Sequence, residues 1–236
     1  MSTQGLSLPQ QVALTIAPAL TGVLSFCGSL FIIQMIVMGK KWKHVKYRIL
    51  LGVSLSDIVS SLVFVFWSLP IPEGTPGIWG AIGNKRTCDF QGTMLTLGTL
   101  GSYYNGALCG YYWLTICYQM SEIDIARRFE KYAHGFSILW PFATAFAALG
   151  QDFYGPSALG CWMTPTPLFC NRDDGVDCIR GRYAYLYAWV YVGVPKTLLG
   201  CFIGYTMYKI YSHVRTTMKK IARILNVNKI IFAHIN

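Results

Sequence analysis

The chain has 236 residues, 53% apolar and only 13% charged, with a formal charge of +10. A soluble domain is about 25% charged, so this composition excludes a disordered chain and argues against a soluble enzyme. The basic residues are not gathered on a soluble face as in a nucleic-acid binder; the expected partner is a lipid bilayer, with no nucleic acid.

In chain order, Met1–Gly39 holds no charged side chain, and the first expected span covers 12–38 behind a short external N-terminus, 1–11. The second, 47–70, has Asp57 as its only charge from Leu50 onward. The third, 90–118, lies in 32 uncharged residues from Phe90 to Ser121, and the fourth, 132–151, in 20 from Tyr132 to Gln151. The fifth, 183–208, contains only Lys196. Each reaches the roughly 20 mostly apolar residues that cross a ~30 Å hydrocarbon core, and none alternates as a barrel strand does. The predicted fold is all-α: a polytopic transmembrane helical bundle over 12–208 and a cytoplasmic basic amphipathic tail, 209–236. In that tail Ile210, Val214, Met218, Ile221 and Leu225 recur at helical spacing.

The loops set the expected orientation. Linkers 40–48 and 119–131 and the tail carry fourteen Lys and Arg, including Arg127, Arg128, Arg215, Lys219 and Lys220; the other loops carry five, Lys85, Arg86, Arg172, Arg180 and Arg182. The positive-inside rule puts the N-terminus outside. Four of the eight cysteines, Cys88, Cys161, Cys170 and Cys178, then fall in external loops, where disulfides are permitted. They allow three connectivities; Cys88–Cys161 with Cys170–Cys178 is the favoured one. Cys27, Cys109, Cys117 and Cys201 read as small packing residues.

Polar residues inside the spans are costly and either functional or structural. Asp57, with Ser54 and Ser61 on its face, reads as a cation- or proton-sensitive switch or as a polar clamp between helices. Lys196 reads as part of a ligand pathway, or as a snorkelling side chain. Asn105 is placed to bond across helices. Pro141 and Pro195 are expected to kink the fourth and fifth spans. Gly98, Gly101, Gly106 and Gly110 predict close approach of neighbours to the third span, and Tyr111, Tyr112 and Trp113 an interfacial belt. No phosphate-binding, zinc-protease or nucleophile-elbow motif occurs, so no enzyme, cofactor or metal is expected.

Five features follow one another. They are Phe26-Cys27-Gly28-Ser29 in the first span, a basic loop leading to Leu-Ser-Leu-Ser-Asp57, Cys88-Asp-Phe-Gln91-Gly92, Trp140-Pro141, and Gly160-Cys161-Trp162 ahead of an aromatic span with Pro195. This order resembles seven-transmembrane G protein-coupled receptors of the slime-mould cyclic-AMP-receptor-like group and their secretin-like relatives, over roughly residues 20–215. The resemblance implies a plasma-membrane receptor with a Cys88–Cys161 bridge and an outer face for an extracellular ligand. It implies heterotrimeric G protein contact through Arg127, Arg128, Arg215, Lys219 and Lys220. The Gly-rich third span makes a receptor dimer a further expectation. The family has seven spans, and five are read here; 226–236 would begin a sixth. The Glu/Asp-Arg-Tyr triplet of rhodopsin-like receptors is replaced by Tyr118-Gln119-Met120. The rival expectations are a small transporter or channel subunit, resting on Asp57 and Lys196, and a non-signalling partner of a full receptor.

Overall fold

A computed structural model describes residues 7–75, 77–157, 160–167, 170 and 177–234, with side chains through 224. The first six residues of the expected N-terminus, Arg172, and the side chains of Leu225 and of the 226–236 segment lie outside the described residues. The chain is mostly helical. Three of its helical stretches, Leu8–Met38, Val45–Val65 and Ala184–Ile224, are long and apolar enough to cross a membrane, the signature of a membrane protein.

Helix α1, Leu8–Met38, begins where Pro9 fits the first turn and Gln10 Oε1 accepts the Ser7 N–H at 2.9 Å. It ends at Gly39, and Lys40 takes a left-handed conformation, φ 50°. After a 3₁₀ turn at Lys41–Lys43, α2 runs Val45–Val65 antiparallel to α1, the most extensive helix pairing in the molecule. The heptad-spaced Gly22, Ser29 and Ile36 are the buried positions of α1. Its other faces leave Leu24 74% and Phe31 63% exposed, as a lipid-facing helix would.

The third expected span is two helices, α3, Lys85–Leu97, and α4, Leu100–Cys117, broken at Gly98–Thr99. A Cβ at Gly98 would lie 2.4 Å from Ser60 Oγ, so α2 passes close to the break. The fourth is one helical stretch made of α5, Glu122–Ile125, a wide π-type turn, Ala126–Glu130, and α6, Lys131–Gly150. Tyr, Gly and Asn105 dilute the apolar character of α4, and Lys131, His134 and Trp140-Pro141 that of α6. Neither is among the three membrane-length apolar helices. A hairpin follows, β1, Tyr154–Ser157, paired antiparallel with β2, Gly160–Met163. Then come α7, Ala184–Ala188, a second wide turn, Trp189–Gly193, and α8, Val194–His234. At 1.5 Å per residue the 41 residues of α8 run about 60 Å, about twice the hydrocarbon thickness. The tail is thus a continuation of this helix.

Helix α4 is the hub, packed against α2, α6 and α8. Its glycines do what their spacing predicts: added Cβ atoms would meet Ser56 at Gly101, Leu199 at Gly106 and Phe129 at Gly110. The aromatic run differs from expectation. Tyr111 is buried in a core cluster with Val45, Ile49, Val53, Tyr104 and Ile125, and Trp113 stands edge-on to Phe202 and Tyr205 of α8. Only Tyr112 points outward. Packing against α2 and α8 on either side of the hub leaves one residue in three for an interface belt.

Candidate functional site

The structure joins Cys88 to Cys161 and Cys170 to Cys178, the favoured connectivity. The first bridge is the centre of a built cap. Gln91, one turn after Cys88, is buried; its Nε2 donates to Trp67 O at 2.6 Å, and its Oε1 accepts the Cys161 N–H at 3.1 Å. Gly92 lies under the ring of Tyr154, where a Cβ would fall 2.4 Å from Cδ1. The Tyr154 hydroxyl donates to Ala145 O at 3.1 Å and lies 3.0 Å from Thr96 Oγ1. Burial pushes that phenol up to about 12. Cys-x-x-Gln-Gly is thus one device: each of its three fixed residues ties α3 to the β-hairpin or to the segment after α2. At its rim Lys85 reaches Asp89 at 2.8 Å and Asp152 at 2.5 Å, and the ammonium holds the Asp152 carboxyl below its usual range.

The polar residues inside the helices are not brought into contact. Asp57 lies beside Gly101, its Oδ1 3.3 Å from where a Cβ there would be. Asn105 is exposed on the α4 face between Gly101, which meets α2, and Gly106, which meets α8. Lys196 is one turn before Leu199, the residue seated on Gly106. Asp57 lies on the α2 side of α4 and Leu199 on the α8 side, and among the described residues Asp57, Asn105 and Lys196 have no hydrogen-bond or ion-pair partner. Ser54 Oγ, on the Asp57 face, is buried with no partner either.

The prolines act through the groups they free. Pro195 has no N–H to offer Tyr191 O four residues earlier. That carbonyl accepts the Trp140 indole N–H at 3.1 Å, and the wide turn Trp189–Gly193 lies just ahead. Pro141 sits buried inside α6, which continues through it. Trp140 therefore ties α6 to the wide turn just ahead of Pro195.

At the opposite end, Arg127 and Arg128 are exposed on the wide turn, and Arg215, Lys219 and Lys220 are exposed along α8. Phe129 and Phe202 both close on Gly110, which puts the turn and α8 on one side of α4.

The largest polar network was not foreseen from the sequence. Both carboxylate oxygens of Glu130 accept from the Arg48 guanidinium, Oε1 from Nε and Oε2 from Nη2 at 2.6 Å. Arg48 also caps Lys43 O at 2.7 Å. His134 Nε2 stands 3.5 Å from Glu130, and its Nδ1 3.1 Å from the Tyr104 hydroxyl. A Tyr104 O–H donated to Nδ1 leaves Nε2–H for Glu130, so the neutral tautomer satisfies both. Glu122 accepts the Val45 N–H at 2.8 Å, capping α2, and pairs with His44 at 2.9 Å. The hydrogen bond to His44 is the main reason its carboxyl is held below the usual range. The signal available in the sequence was the acid set Glu122, Asp124 and Glu130 inside a basic linker, with Glu130 and His134 four apart. Compared with protein-family models and with curated proteins, the chain matches none.

Proposed function

We propose that this chain acts as a receptor of the G protein-coupled type, its five helical stretches serving as five spans with the N-terminus outside at the plasma membrane. An extracellular ligand would favour a state in which the inner ends of the helices open to a heterotrimeric G protein. The observation that carries this reading is the cap, in which Cys88, Gln91, Gly92 and Cys161 act as one unit. Support comes also from the opposite end, where Arg127, Arg128, Arg215, Lys219 and Lys220 are exposed for an acidic partner. The test is association of the membrane-embedded chain with a heterotrimeric G protein, with and without a non-hydrolysable guanine nucleotide. Nucleotide-sensitive association is expected; its absence with every G protein class sinks the reading.

Asp57, Asn105 and Lys196, polar groups inside the helices with no partner among the described residues, favour a second reading, a transporter or channel subunit. Solute flux in liposomes that disappears with Asp57→Asn would replace the first reading with this one.

A further inference from the structure

The stretch from Ser121 to Gly150 is helical but irregular at one place, the wide turn Ala126–Glu130. An α-helix advances about 100° per residue, so residues five apart point about 140° away from each other. Ile125 and Glu130 are five apart, yet both face the first turns of α2. Ile125 is fully buried against Val45 and Ile49. Glu130, 9% exposed, places its carboxylate on Arg48. A regular helix would present one and turn the other outward. The extra residue taken up by an i→i+5 turn lets both face inward. Arg127 and Arg128, between them, are held outward.

We propose that Ala126–Glu130 is a positioning device, held wide by the Arg48–Glu130 pair, that fixes how this chain presents Arg127 and Arg128. Glu130 is anchored toward α6 through His134, so loss of the pair lets the turn close to α-helical geometry. The residues ahead of Glu130, Ser121–Arg128, then rotate by about one residue, about 100°, taking Ile125 out of its core and both arginines around the axis. Arg48 and Glu130 are positioning residues here. The inference goes beyond the receptor reading and does not need it, because it concerns how the chain orients its own surface.

The experiment is hydroxyl-radical footprinting of the whole chain in phosphatidylcholine nanodiscs, comparing Ile125 with Met163, which is buried in the separate cluster at the cap. Glu130→Gln is expected to raise Ile125 oxidation about tenfold while Met163 stays unchanged, since a lost charge-assisted bond shifts a local equilibrium by that order. The reversed pair, Arg48→Glu with Glu130→Arg, is expected to restore protection. The proposal is overturned if Ile125 stays protected in Glu130→Gln, if Met163 is exposed along with it, or if the reversed pair restores nothing. Should Glu130→Gln not fold, Arg48→Lys is read the same way, because it keeps the charge and loses the two-pronged contact.

Discussion

The two ends of the helical array are built from opposite materials. At one end a covalent bridge, a buried glutamine and a buried tyrosine bind α3, the β-hairpin and the segment after α2 into a unit with no net charge at its centre. At the other, α2 meets the Glu122–Glu130 segment through carboxylates on Arg48, His44 and a backbone N–H, with the His44 and Glu122 side chains 57% and 41% exposed. A disulfide and buried neutral bonds hold one arrangement against salt and mild acid. The half-exposed His44–Glu122 contact is weak, whereas the two-pronged Arg48–Glu130 pair has its carboxylate buried. The contrast is between covalent and neutral ties at one end and charged ties at the other.

The strongest way to break that contrast is to cut the bridge. Cys88→Ser is expected to cost about 2–4 kcal/mol, read as a fall in melting temperature of the purified chain, whereas Glu122→Gln costs at most about 1 kcal/mol. Equal losses would erase the distinction between the ends. Next is Gly92→Ala, which drives a methyl into the Tyr154 ring and is expected to cost about 1–3 kcal/mol. Restoration of the melting temperature by Tyr154→Leu in the same chain would assign the loss to that contact. The smallest effect concerns Glu122 alone. Its carboxyl carbon, followed by NMR, should titrate below the ordinary glutamate value of about 4.3 and move back toward it in His44→Ala. Because the folded value is the lower one, its stabilising contribution is present above the ordinary range and is lost as pH falls through the folded value. Titration at or above the ordinary value would show that His44 does not hold it.

The sequence by itself determined where the helices are. Uncharged runs in a bilayer have only one open-chain solution, because backbone groups must be satisfied within the segment. The same runs announced the glycine contacts of α4, since small residues at helical spacing have few other uses, while the fold selected one of the three connectivities open to the external cysteines. Boundaries and continuity came only with tertiary structure. The 90–118 run divides at Gly98, where α2 packs close, and 119–131 coils into α6 because Ser121 caps it and Ile125 finds a core. Partners were decided there too. Arg48 and Glu130 are 82 residues apart, and no local pattern links them. Their meeting depends on a turn one residue too wide, and the Trp140–Tyr191 bond depends on a carbonyl that Pro195 leaves free. Hydropathy and periodicity record what each residue does to its own helix. Which polar group answers which is fixed only when the helices are packed.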